Sequence, residues 1–172
     1  MASRWTRTLR HIEMQQNPMI QRRRFVKLMA ALRRDDGVSY FEVINAEGDA
    51  MRIAMTIGPA DVTLTHASPR HPHMDLEFTF GPMPVPARDA ALQLLALNAE
   101  LALGAQGGFG IDSATETVIY RCRQMLLGVD LAQLQSVLVE IGELATAWLT
   151  RWHGRRAVGS TLLMLVPAIV SE

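Results

Sequence analysis

The chain has 172 residues, 49% of them apolar, and a single cysteine, a size and composition that suit one domain with its own core. Cys122 stands alone, which excludes an intramolecular disulfide and fits a reducing compartment. Formal net charge is zero, yet residues 1–34 carry nine arginines and lysines against Glu13 alone, and the remainder carries eight arginines against sixteen carboxylates.

The first residues, MASRWTRTLRHIEMQQN, contain arginines but no continuous apolar segment, so they do not read as a secretory signal. Residues 1–17 are expected to form a basic leader, mobile or packed on the acidic body of a partner subunit. A basic leader on an acidic body fits two readings, an arm for nucleic acid or a helix docked on an acidic domain. Asn17-Pro18 then suits a helix start. Phe25, Leu28, Met29 and Leu32 recur at helical spacing with arginines opposite, and Asp35-Asp36-Gly37 ends the run.

The pattern next changes to period two. SYFEVINA and DAMRIAMTI flank Glu47-Gly48-Asp49, a hairpin signal, and ADVTLTHA and HMDLEFTFG follow beyond Gly58-Pro59. Phe41, Val43, Ile53 and Met55 are candidates for one apolar face. Leu76, Phe78 and Phe80 alternate with Glu77 and Thr79, as in a sheet wet on one side. GPMPVPARD hands over to a helix from about Ala87 to Gly104. Gly107-Gly108 reads as its stop and hinge. FGIDS and ETVIYRCRQM make two more strands, with Val118, Tyr120 and Cys122 on one face and Arg121 and Arg123 on the other. Asp130 caps a final helix, LAQLQSVLVEIGELATAWLTRW, which His153-Gly154 stops. The expected fold is α+β, an antiparallel twisted sheet packed with three helices, in the order helix, strands, helix, strands, helix. The domain is placed at 18–153 and a C-terminal tail at 154–172. The tail's apolar run, Leu162 to Val170, is broken by Pro167 and is too short to span a bilayer, so a cytoplasmic protein without membrane insertion is expected.

Leu92, Leu94, Leu95, Leu97, Leu101 and Leu103 cannot all face one sheet. A helix apolar on two sides needs a second cover, either a second copy of the chain or more of its own monomer.

No reaction chemistry stands out. His66, His71, His73 and Asp75 fall within HASPRHPHMD, but without the rigid spacing of a helical metal site, so a solvated loop and no metal are expected. Cys122 is expected to be a buried, inert thiol. GAQGGFG lacks the Lys-Ser/Thr of a phosphate loop, and no Ser-His-Asp order or spaced carboxylate pair appears. The expectation is a non-enzyme with no catalytic residues and no cofactor. Of the ten methionines, Met19, Met29, Met51, Met55, Met74, Met83 and Met125 fall in or beside candidate binding elements, and as a group they lean towards adaptable binding.

The stretch LLALNAELALGAQGGFGIDSATETVIYRCRQMLLGVDLAQLQSVLVEIGELATAWL resembles the second half of the Tir chaperone (CesT) family, the class I chaperones of type III secretion. That family has a leucine-rich helix with an LxxLN-like core, two strands, and a leucine-spaced final helix entered through a sequence like Gly-Val-Asp-Leu. FTFGPMPVP is similar to its Gly-Pro turn before the leucine-rich helix. The resemblance covers roughly residues 18–152, and the arginine-bearing leader and the tail GRRAVGSTLLMLVPAIVSE depart from it.

The resemblance implies a cytoplasmic homodimer that holds a secreted effector in extended form, with the secretion ATPase or sorting apparatus as a further partner. Carried onto this chain, Leu92, Leu95, Asn98 and Leu101 would lie at the dimer interface. Phe25, Leu28, Met29 and Leu32 with Phe41, Val43, Ile53 and Met55 would form the client groove, rimmed by Arg22, Arg23 and Arg33. Two other readings are a nucleic-acid-binding regulator that uses the arginine leader and an interaction domain of the same fold outside secretion. Against the regulator, Phe and Tyr fall on core-patterned faces and leave no stacking platform for bases, so no nucleic-acid partner is expected.

Overall fold

A computed structural model describes residues 18–45, 49–101 and 107–154. The basic leader, the Glu47-Gly48 part of the first turn, residues 102–106 and the tail from 155 lie outside these described residues. Helix α1 spans Pro18–Leu32, α2 Ala87–Leu101 and α3 Leu131–His153. The strands are β1 Val38–Asn45, β2 Met51–Ile57, β3 Ala60–His66, β4 His73–Pro82, β5 Gly107–Asp112 and β6 Thr117–Met125. They form one antiparallel sheet in the order β1-β2-β3-β4-β6-β5. The α+β class and the element order are those expected from the sequence. One reading changes: Gly107-Gly108 open β5 rather than forming a hinge. The expected end of α2 at Gly104 lies outside the described residues.

Alternation in the strands translates directly into two faces. Val62, Leu64 and His66 of β3, Met74, Leu76, Phe78 and Phe80 of β4, and Val118, Tyr120 and Cys122 of β6 are buried. The intervening Thr63, Thr65, Asp75 and Glu77 are half-buried, and Arg121 and Arg123 are exposed. Helix α3 runs across β2, β3 and β4 and brings Leu134, Leu138, Ile141, Ala145, Trp148 and Leu149 into the same core. Helix α1 packs beside it. Each large apolar side chain fully buried this way contributes roughly 1.5–3 kcal/mol, so the core rests chiefly on β2–β4 and the two flanking helices.

The helix termini are specified locally. Asp130 accepts a hydrogen bond from Gln133 N at 2.9 Å, while Gln133 Oε1 accepts from Asp130 N at 2.9 Å, a reciprocal cap at the start of α3. Gly154 ends it at φ 61°, a left-handed conformation that glycine adopts without steric cost. Gly107 is fixed by space. A Cβ there would lie 2.6 Å from Cys122 Cβ, so only a residue without one lets β5 close onto β6.

Candidate functional site

The client groove expected along α1 is not open in the folded chain. Phe25, Leu28, Met29 and Leu32 are buried, and so are Ile53 and Met55 on the sheet below them. Gln21 continues the same buried stripe one turn earlier. The periodicity was sufficient to find the stripe, but α3 and the sheet supply its cover within the same chain. Two of the three predicted rim arginines are also engaged. Arg22 donates to the Asp49 carbonyl, and the Arg33 guanidinium lies 5.9 Å from the centre of the Phe41 ring. Arg24 Nη2 donates to the Val129 carbonyl at 3.0 Å and ties α1 to the start of α3. The methionines divide similarly. Met29, Met55 and Met74 are core, Met51 and Met83 are half-buried, and Met19 and Met125 are exposed.

Of the eight candidate client residues, Phe41 is half-buried and Val43 is 50% exposed, both on β1. Register places them opposite Met55 and Ile53, at the margin of the apolar face. Tyr40 and Ile44, which the sequence reading did not single out, are exposed on the opposite face of the same strand. β1 ends the sheet, so among the described residues its outer edge pairs with no strand. Such an edge presents free backbone N–H and C=O groups.

The face away from α3 is polar and carries a depression of about 930 Å³ lined by Ile44, Arg52, Thr63, Thr65, Asp75 and Glu77, with Arg121 and Arg123. Arg121 Nε pairs with Glu77 at 2.6 Å and Arg123 Nε with Asp75 at 2.7 Å, directly across the β4–β6 ladder. These exposed pairs add little stability, about 0–1 kcal/mol each. They keep this face solvated.

Helix α2 is divided in its loyalties. Ala90 and Leu94 are buried, Leu97 and Leu101 pack partly against the core, and Leu92 and Leu95 are exposed at 56% and 65%. Asn98, expected at the same interface as those two leucines, is engaged within its own chain. Its Nδ2 donates to Phe109 O at 3.1 Å and its Oδ1 accepts from Phe109 N at 2.6 Å. One side-chain amide thus satisfies both backbone groups of an edge-strand residue, much as a neighbouring strand would. Asn98→Ala is expected to cost about 1–3 kcal/mol, because Phe109 would be left with two unsatisfied groups. Urea unfolding checks this, and Asn98→Asp should recover only the bond donated by Phe109 N.

Cys122 is buried, and burial pushes its thiol pKa up to about 11, away from nucleophilic reactivity. Burial likewise raises Tyr120 to about 12. Among the described residues no three His, Cys, Asp or Glu side chains are grouped to hold a metal ion, and no helix is long and apolar enough to cross a membrane. The solvated-loop reading of the histidines needs a correction. His71 and His73 are at least partly exposed, but His66 is fully buried at the end of β3.

No protein-family model matches the chain, and no curated protein matches it in sequence. Solved structures match its fold. A chain of the HopA1–SchA chaperone–effector complex superposes with a TM-score of 0.50 at 15% identity, covering 71% of this chain and 87% of that one. A chain of the ExsC–ExsE complex gives a TM-score of 0.50 at 14% identity, covering 73% and 91%. The fold is therefore class I secretion chaperone-like, three helices on a six-stranded antiparallel sheet, as the sequence resemblance implied.

Proposed function

We propose that this protein is a cytoplasmic, dimeric type III secretion chaperone that binds an effector segment in extended form and keeps it soluble and competent for export. The observation that carries this reading is the fold shared with chains of chaperone–effector complexes. Two features of the surface support it. The outer edge of β1 offers backbone groups for strand addition, and Tyr40, Val43 and Ile44 stand exposed along it. Of the client residues proposed from sequence, Phe41 and Val43 are the pair a client can reach without unpacking α1. The secretion ATPase or sorting apparatus remains the partner to which a loaded chaperone would deliver.

The test is co-purification with the N-terminal segments of candidate effectors at low and high salt. Burial-driven capture should persist at high salt, whereas nucleic-acid binding through the arginine leader would collapse as counterions compete. Val43→Glu should weaken capture by about 1–3 kcal/mol through lost burial and a charge in an apolar contact. Its melting curve should stay close to wild type, since the side chain is half in solvent. Unchanged capture by this variant would remove β1 as the receptor. Retention of non-secreted proteins alone would favour an interaction domain of the same fold outside secretion.

A further inference from the structure

His66 is fully buried at the point where α1 rests on the sheet, and its ring lies 5.3 Å from that of Phe25. Its Nε2 is 2.9 Å from the His71 carbonyl. A carbonyl can only accept, so Nε2 must carry the proton and Nδ1 must bear the lone pair. Nδ1 is buried and has no hydrogen-bond partner. In the neutral ring the bare lone pair forgoes one hydrogen bond to water, which is the smaller of two costs. A proton added at Nδ1 would create a buried N–H with no acceptor and a positive charge with no counter-ion.

The charged and titratable groups that face the ring make this worse. Arg22 approaches from α1, and His71 and His73 from the β3–β4 connection and the start of β4, all of which oppose a second positive charge. The nearby carboxylates bear on other groups, Asp49 on Arg22 and Asp75 on His73. On β2, the residue paired with His66 is the apolar Met51.

We propose that His66 is an acid-sensitive latch for α1: protonation at Nδ1 loosens the helix from the sheet while β2–β4 and α3 stay folded. This inference is independent of the chaperone reading. Its consequence is exposure of the apolar stripe Phe25, Leu28, Met29 and Leu32, which the neutral form covers. The burial that disfavours the charged ring lowers the folded-state pKa below the ordinary value of 6.5. The unfolded chain then binds the proton more readily than the folded one. The stabilisation is complete above pH 6.5 and declines as pH falls below it, towards the depressed folded-state value.

Hydrogen exchange and thermal melting between about pH 7.5 and about pH 5.5 test the latch. In wild type, α1 amides should lose protection on acidification, after correction for intrinsic exchange rates, while those of β3 and β4 keep theirs. The melting temperature should fall by about 2–4 °C. His66→Leu should abolish the loss of α1 protection and reduce the fall in melting temperature, to which His73, its pKa also lowered by burial, adds its own part. His71→Asn and His73→Asn should retain the effect on α1. If His66→Leu fails to fold, an NMR titration of wild type decides. The His66 ring should titrate below pH 6.5, and the α1 amide signals should follow the same curve. Titration at or above 6.5, an α1 insensitive to the His66 proton, or an unaltered pH slope in His66→Leu would each overturn the proposal.

Discussion

Met29→Glu is expected to destabilise the fold by about 3–5 kcal/mol, the sum of lost apolar burial and a carboxylate with no partner beneath α1. Met29 is 3% exposed and belongs to the same cluster as Phe25, Leu28 and Leu32, so the new charge has no route to water without undocking the helix. Domains of this size commonly have 5–15 kcal/mol of stability in total, so this loss removes a large fraction of it. Urea unfolding by circular dichroism checks the value. Leu32→Ala, which removes volume without adding charge, should cost about 2–5 kcal/mol. A Met29→Glu protein with an unchanged melting curve would mean that α1 is not part of the core.

Leu95→Asp is expected to convert a dimer into a monomer while leaving the monomer folded. Leu92 and Leu95 project from α2 into solvent although the helix's other leucines serve the core. An exposed pair of leucines on a helix whose other described leucines pack inward is what a second copy of the chain would cover, and a twofold contact places the same leucines on both sides. Light scattering at micromolar concentration should give twice the 19.1 kDa chain mass for wild type and the single mass for Leu95→Asp. The melting curve of the variant measured at low protein concentration should match that of dissociated wild type, because a side chain 65% exposed in the monomer holds little of its core. A monomeric wild type would remove this interface.

These two variants mark where reading the sequence succeeds and where it stops. The amino-acid order determined the elements. Period-two alternation located β3 and β4, the spacing of Phe25, Leu28, Met29 and Leu32 located α1, and Asp130 located the start of α3. Local signals suffice there because backbone period and capping are settled within a few residues. The resemblance carried by LLALN, FTFGPMPVP and GVDL led to the fold that the solved structures share.

Tertiary structure alone decided which apolar surface is covered. The stripe on α1 and the leucines of α2 look equally apolar in sequence, yet the first is buried by α3 and the sheet, while Leu92 and Leu95 are left in solvent. Periodicity reports that a face is apolar; its cover comes from residues far away in the chain, and no local pattern encodes them. The same reason separates His66 from His71 and His73, three residues of one short segment. A two-residue period turns His66 to the core face, where Phe25 of α1 and the His71 carbonyl pack against its ring. Asn98 stood among leucines and read as part of an interface. It became a backbone partner only once β5 had paired with β6 and brought its free edge, eleven residues further on, within reach of the amide.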